Sequence, residues 1–132
     1  MKIAICGSMH FAKEMLHTKQ SLEDLGHEVI VPQGTIQYSI GERSAEHKWD
    51  KLDRDVIREY YERIKEQDAI LILNHTKNNI PNYVGGNALI EMAFAHVLHK
   101  NIYLLNPIPQ LAYTDEIAAM HPFVLSGDLR RI

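Results

Sequence analysis

The chain has 132 residues, of which 45% are apolar and 23% charged, and a formal net charge of −3. That is the balance of an ordinary globular protein with enough length for one core, and no Pro-, Gly- or Ser-rich stretch marks a linker, so a single domain over 1–132 is expected. The charges form no basic stripe of the kind that binds nucleic acid. No apolar run spans a bilayer, and the opening segment is too short for a signal-peptide core, so a cytoplasmic protein with neither nucleic acid nor membrane as partner is expected.

Residues 2–6, Lys-Ile-Ala-Ile-Cys, read as a buried strand, and Gly7-Ser8 turns the chain into a helix over 11–25, where Phe11, Met15, Leu22 and Leu25 recur at helical spacing before Gly26. The lone cysteine, Cys6, ends that strand and is expected to be a buried, inert thiol. A second short strand over 27–31 closes at Pro32 and completes a βαβ unit, which the right-handed crossover rule makes parallel. Residues 33–49 show no period and read as a long loop and a candidate lid, flanked by Tyr38 and Trp49, which either stack on a base or pack the loop on the core.

A charged helix is expected over 51–67, with Leu52, Val56, Tyr60 and Ile64 on one face, followed by Asp68 and a fully apolar strand over 69–73. A loop over 74–84 leads to a helix over 86–99, then to a strand over 101–105, a short helix over 114–120 and an edge strand over 122–125. Strands that alternate with helices in this way predict an α/β fold: a three-layer sandwich around a mostly parallel sheet of four or five strands, flavodoxin- or Rossmann-like.

In such a sheet a ligand binds beyond the carboxyl ends of the strands. That rule selects Gly7, Ser8 and Met9 after the first strand, Asn74 after the third, and Gly85, Gly86 and Asn87 ahead of the next helix. Gly7-Ser8-Met9 carries neither a GxGxxG nor a GxxxxGK[ST] pattern, so a dinucleotide or ATP cradle is not supported. A helix start with a free hydroxyl suits a sugar hydroxyl or a single phosphate, and a plain turn capped by Ser8 is the alternative. Glu91 follows the paired glycines within the apolar stretch Ile90-Glu91-Met-Ala-Phe, where a mostly buried acid needs a partner or a task. A helix N-terminus favours its anion, which fits a nucleophile better than a proton donor. Eight histidines contain no HExxH, and His96 and His99 sit where a helix C-terminus favours a cation, so no metal and no cofactor is expected.

The strand into Gly7-Ser8-Met9, Asp68 leading a buried strand, the glycine loop into Glu91-Met-Ala-Phe-Ala95 and the following Lys100-Asn-Ile-Tyr-Leu-Leu105 together resemble the nucleoside 2-deoxyribosyltransferase family, with its relative the 2′-deoxynucleoside 5′-monophosphate N-hydrolase, over about residues 2 to 107. The resemblance implies that Glu91 attacks C1′ of the deoxyribose of a nucleoside or nucleoside monophosphate, that the base departs, and that water or a second base takes the glycosyl group. It also implies an acid on the helix before Asp68. By spacing that position falls at Tyr60-Tyr61 here, so Tyr60 is placed on the substrate side and the general acid stays unassigned. Related enzymes assemble so that a neighbour completes the site, and a homo-oligomer is expected. A non-catalytic nucleotide-binding sensor of the same fold is the second reading, favoured by the missing acid.

Overall fold

The structure is a computed structural model that describes residues 1–41 and 55–132. Strands β1 (Lys2–Cys6), β2 (Glu28–Ile30), β3 (Ala69–Ile72), β4 (Asn101–Leu104) and β5 (Phe123–Val124) form one sheet in the order β2-β1-β3-β4-β5. Every pairing is parallel, so the sheet is the α/β type expected from the sequence, with five strands and the flavodoxin-like order. Helices α1 (Ala12–Asp24), α2 (Thr35–Ser39), α3 (Val56–Lys65), α4 (Gly86–Val97) and α5 (Thr114–Ala119) complete the described chain, with one turn of 3₁₀ helix over Met9–Phe11 and another over Leu129–Arg131.

The central strands are apolar throughout because helices cover both faces. Ile3, Ile5, Leu71 and Leu73 point to the layer that holds Met15 and Leu22 of α1. The alternate residues Ala4, Cys6, Ile70, Ile72 and Leu104 pack on Tyr60 and Ile64 of α3 and on Ala88, Met92 and Ala95 of α4. Truncating a fully buried residue of either layer, such as Leu71 or Met92, would cost about 2–5 kcal/mol.

Helix ends follow local chemistry. Asp55 caps α3 by accepting the Arg58 amide at 3.1 Å. The last turn of α4 closes through His99, whose left-handed φ of 59° lets the Lys100 amide reach the Ala95 carbonyl at 2.8 Å, so His99 is a helix stop.

Two expectations change. The loop expected over 33–49 contains α2, which packs against α1 and the first 3₁₀ turn; residues 42–49 of the candidate lid, Trp49 among them, lie outside the described residues. The helix expected over 51–67 is described from Val56, and Leu52 lies outside the described residues. On α4 and α3 the side chains of Ile90, Val97 and Ile57 are exposed. No described helix is long and apolar enough to cross a membrane.

Candidate active site

The chain leaves β1 to build β2 on one side and later returns to build β3 on the other, so the carboxyl ends of β1 and β3 border the switch point where parallel sheets open a crevice. Gly7 makes the turn possible. Its φ is 153°, and a Cβ there would lie 3.2 Å from the Leu73 carbonyl oxygen and 3.4 Å from the Met15 side chain. Ser8 caps the 3₁₀ turn: its Oγ accepts the His10 amide at 3.2 Å and lies 3.1 Å from His10 Nδ1. Met9 is half-buried against the core layer of α1.

Beyond β3 the two asparagine positions expected to face a ligand behave differently. Asn74 is fully buried and its amide is consumed by a reciprocal clasp with the end of β4. Its Oδ1 accepts the Asn106 amide at 2.8 Å and its Nδ2 donates to the carbonyls of Asn106 and Pro107 at 2.9 and 3.1 Å, while Asn106 Nδ2 donates back to the Asn74 carbonyl at 3.1 Å. Asn74 therefore ties the ends of β3 and β4 together, with its buried amide engaged by the chain itself. Asn87 lies exposed in the first turn of α4.

Gly85 is the N-cap of α4 and has no side chain to satisfy the amides of the first turn. It is a glycine because Tyr83 lies against it: a Cβ would approach the Tyr83 ring to 3.1 Å. Gly86 faces open space.

Glu91, in the second turn of α4, is half-buried and reaches the end of β1. Burial, followed by the neighbouring Glu91 charge, pushes the Cys6 thiol well above its ordinary range, and its Sγ lies 4.0 Å from the Ala4 carbonyl oxygen. Cys6 is thus a buried, neutral thiol, as expected, with an acidic neighbour that the sequence did not disclose. Tyr60 completes the cluster from α3. Its hydroxyl donates to the Ile5 carbonyl at 2.5 Å, and burial, then Cys6 and Glu91, raise its pKa well above the usual phenol value against the opposing pull of Arg63. Such a phenol stays protonated and anchors α3 to β1.

Sequence reasoning missed Lys77. Asn78 and Asn79, with φ of 50° and 63°, make a two-residue turn that joins Lys77 and Ile80 through hydrogen bonds of 3.1 and 2.9 Å. This hairpin carries the Lys77 ammonium across the crevice to donate to Ser8 Oγ at 3.2 Å, with the nitrogen 5.2 Å from the centre of the Tyr83 ring. The tandem asparagines were its signal. Asp68 lies at the opposite edge of the sheet, where its carboxylate accepts the Lys2 amide at 2.7 Å. Among the described residues no three His, Cys, Asp or Glu side chains converge as metal ligands.

No protein-family model and no curated protein matches the chain. Among solved structures it is similar to the CMP N-glycosidase BcmB of Clostridium botulinum, with a TM-score of 0.53 at 17% identity over 96% of this chain and 90% of the other, a likeness of fold.

Proposed function

We propose that the protein cleaves the N-glycosidic bond of a nucleoside or nucleotide, with Glu91 as nucleophile. The observation that supports this reading best is Glu91 itself: a half-buried acid in the second turn of a helix whose N-terminus has no side-chain cap, beside the buried Cys6 at the end of β1. A carboxylate anion is what a sugar ring developing positive charge requires. The sequence resemblance to nucleoside 2-deoxyribosyltransferases and the shared fold of a CMP N-glycosidase point to the same chemistry.

In this mechanism a Glu91 oxygen bonds to C1′ as the bond from C1′ to the base nitrogen breaks, and the electron pair leaves with the base, which takes a proton from water. A second water then attacks C1′ of the glycosyl ester, which releases the sugar and restores the carboxylate. Tyr60 is a poor proton donor to the base because its hydroxyl is held on the Ile5 carbonyl and its pKa is raised. The same observation favours the second reading, a module that binds a nucleotide without cleaving it. Incubation with a panel of ribo- and deoxyribonucleosides and their 5′-monophosphates, followed by chromatography for free base, separates the two: release from any member supports the enzyme, and binding without release supports the sensor.

A further inference from the structure

Phe123 is a large aromatic side chain on the edge strand β5, and it is 58% exposed. It lies on the sheet face that α1 packs against. Over the inner strands that face is covered by Met15 and Leu22 of α1, whereas beside β4 and β5 it meets the 3₁₀ turn Leu129–Arg131. A cavity of about 410 Å³ lies there, lined by Tyr103, Pro122, Phe123, Val124, Leu125 and Arg131. The Tyr103 and Phe123 rings form an aromatic wall, their centres 5.6 Å apart and their planes tilted by 34°. Arg131 supplies the charge. Its Nη1 donates to the Leu125 carbonyl at 3.2 Å, which ties the guanidinium to the end of β5, and no carboxylate among the described residues forms an ion pair with it. The acid on the same turn, Asp128, is taken by Arg130, whose Nε and Nη2 donate to it at 3.0 and 3.2 Å.

We propose that this cavity is a second small-molecule site, and that it takes a planar aromatic ring carrying one carboxylate. Its volume falls in the range of roughly 300–1,000 Å³ typical of ligand sites, and an apolar, aromatic lining with one polar anchor is their usual composition. A ring entering beside Tyr103 and Phe123 gains offset or edge contacts with both and covers apolar surface that Phe123 now leaves to solvent. The anchor selects the anion. A guanidinium presents its N–H donors as a planar fork that matches the two oxygens of a carboxylate, and Arg131 spends one donor on Leu125. One unpaired cation balances one negative charge; a phosphate dianion would keep a charge uncompensated, since Arg130 is already held by Asp128. The site is separate from the crevice. Phe123 stands three strand spacings from β1, about 14 Å across the sheet, so the proposal stands whether or not the protein cleaves a glycosidic bond.

The test is a titration followed by NMR through the backbone amides of the whole protein. The probes are 2-naphthoate, its neutral counterpart 2-naphthamide, and 2-naphthyl phosphate, added to the wild type and to the Arg131→Met and Phe123→Ala variants. Both side chains are exposed, so neither substitution should unfold the protein, and thermal melts check this. In the wild type 2-naphthoate should shift the amides of Phe123, Leu125 and Arg131 and leave those of Gly86 and Glu91 in place, and it should bind at least tenfold tighter than the neutral amide. Arg131→Met should remove that preference while the amide binds as before, and Phe123→Ala should weaken the acid and the amide alike, at least fivefold. Absence of saturable binding by 2-naphthoate, equal affinity for acid and amide, shifts confined to Gly86 and Glu91, or a folded Arg131→Met that keeps the full preference would each overturn the proposal. Tighter binding of 2-naphthyl phosphate than of 2-naphthoate would overturn the assignment to a carboxylate.

Discussion

The thiol of Cys6, the last residue of β1, lies buried beside the carboxylate of Glu91 on α4, and burial with that neighbouring charge holds the thiol protonated. The consequence for stability has a definite sign. A thiol pKa raised on folding contributes stability that is complete below the unfolded value of about 8.5 and is lost as pH rises above it, at about 1.4 kcal/mol per pH unit. Tyr60, shifted in the same direction, adds a second loss above about pH 10. Melting temperatures should therefore fall between pH 8.5 and 10, and Cys6→Ser should make that fall shallower. A wild type equally stable at pH 7 and pH 10 would contradict the burial of the Cys6 thiol. The native thiol should also resist alkylating reagents that label it fully in denaturant.

The clasp between Asn74 and Asn106 predicts a structural phenotype in place of a binding one. Asn74→Ala removes the Oδ1 acceptor from the Asn106 amide and the donor to two carbonyls in a fully buried setting. The expected loss is about 2–4 kcal/mol of unfolding free energy in urea titrations. A loss under about 0.5 kcal/mol, the level of an ordinary surface substitution, would show that the clasp is dispensable.

The glycines should separate by position. Gly7→Ala meets the Leu73 carbonyl at 3.2 Å with an unfavourable φ and should destabilise by about 1–3 kcal/mol. Gly86→Ala projects into open space at the first position of α4 and should be neutral or stabilising by up to about 1 kcal/mol. A bulky Gly86→Phe should fold and weaken nucleotide binding, because the side chain would crowd the opening beside the α4 amides. Equal stability of the Gly7 and Gly86 alanine variants would contradict this assignment, and unchanged nucleotide affinity in a folded Gly86→Phe would place the ligand elsewhere.

The sheet was legible because both of its faces are covered: a strand such as Ala69–Ile72 has no polar alternation to confuse with a loop, and its neighbours begin and end where Gly7, Gly26 and Pro32 interrupt the pattern. The turn at Gly7-Ser8 and the helix start after Gly85-Gly86 were legible from the glycines themselves. What stayed hidden depends on partners distant in sequence. Asn74 looks like a ligand contact until Asn106, 32 residues away, occupies its amide. Cys6 shows no neighbour in the sequence until the facing layer brings Glu91 beside it. Lys77 lies in a polar loop, and its meaning appears only when the Asn78-Asn79 hairpin carries it to Ser8, 69 residues earlier.

The central claim is that Glu91 supplies the nucleophile, and Glu91→Gln tests it most directly by removing the anion while keeping the shape. Free-base release from the best substrate of the panel should fall by about a thousandfold or more, while calorimetric affinity for that nucleotide changes less than about threefold, because the lost interaction belongs mainly to the transition state. A Glu91→Gln protein that folds, binds and releases base at the wild-type rate would contradict the account.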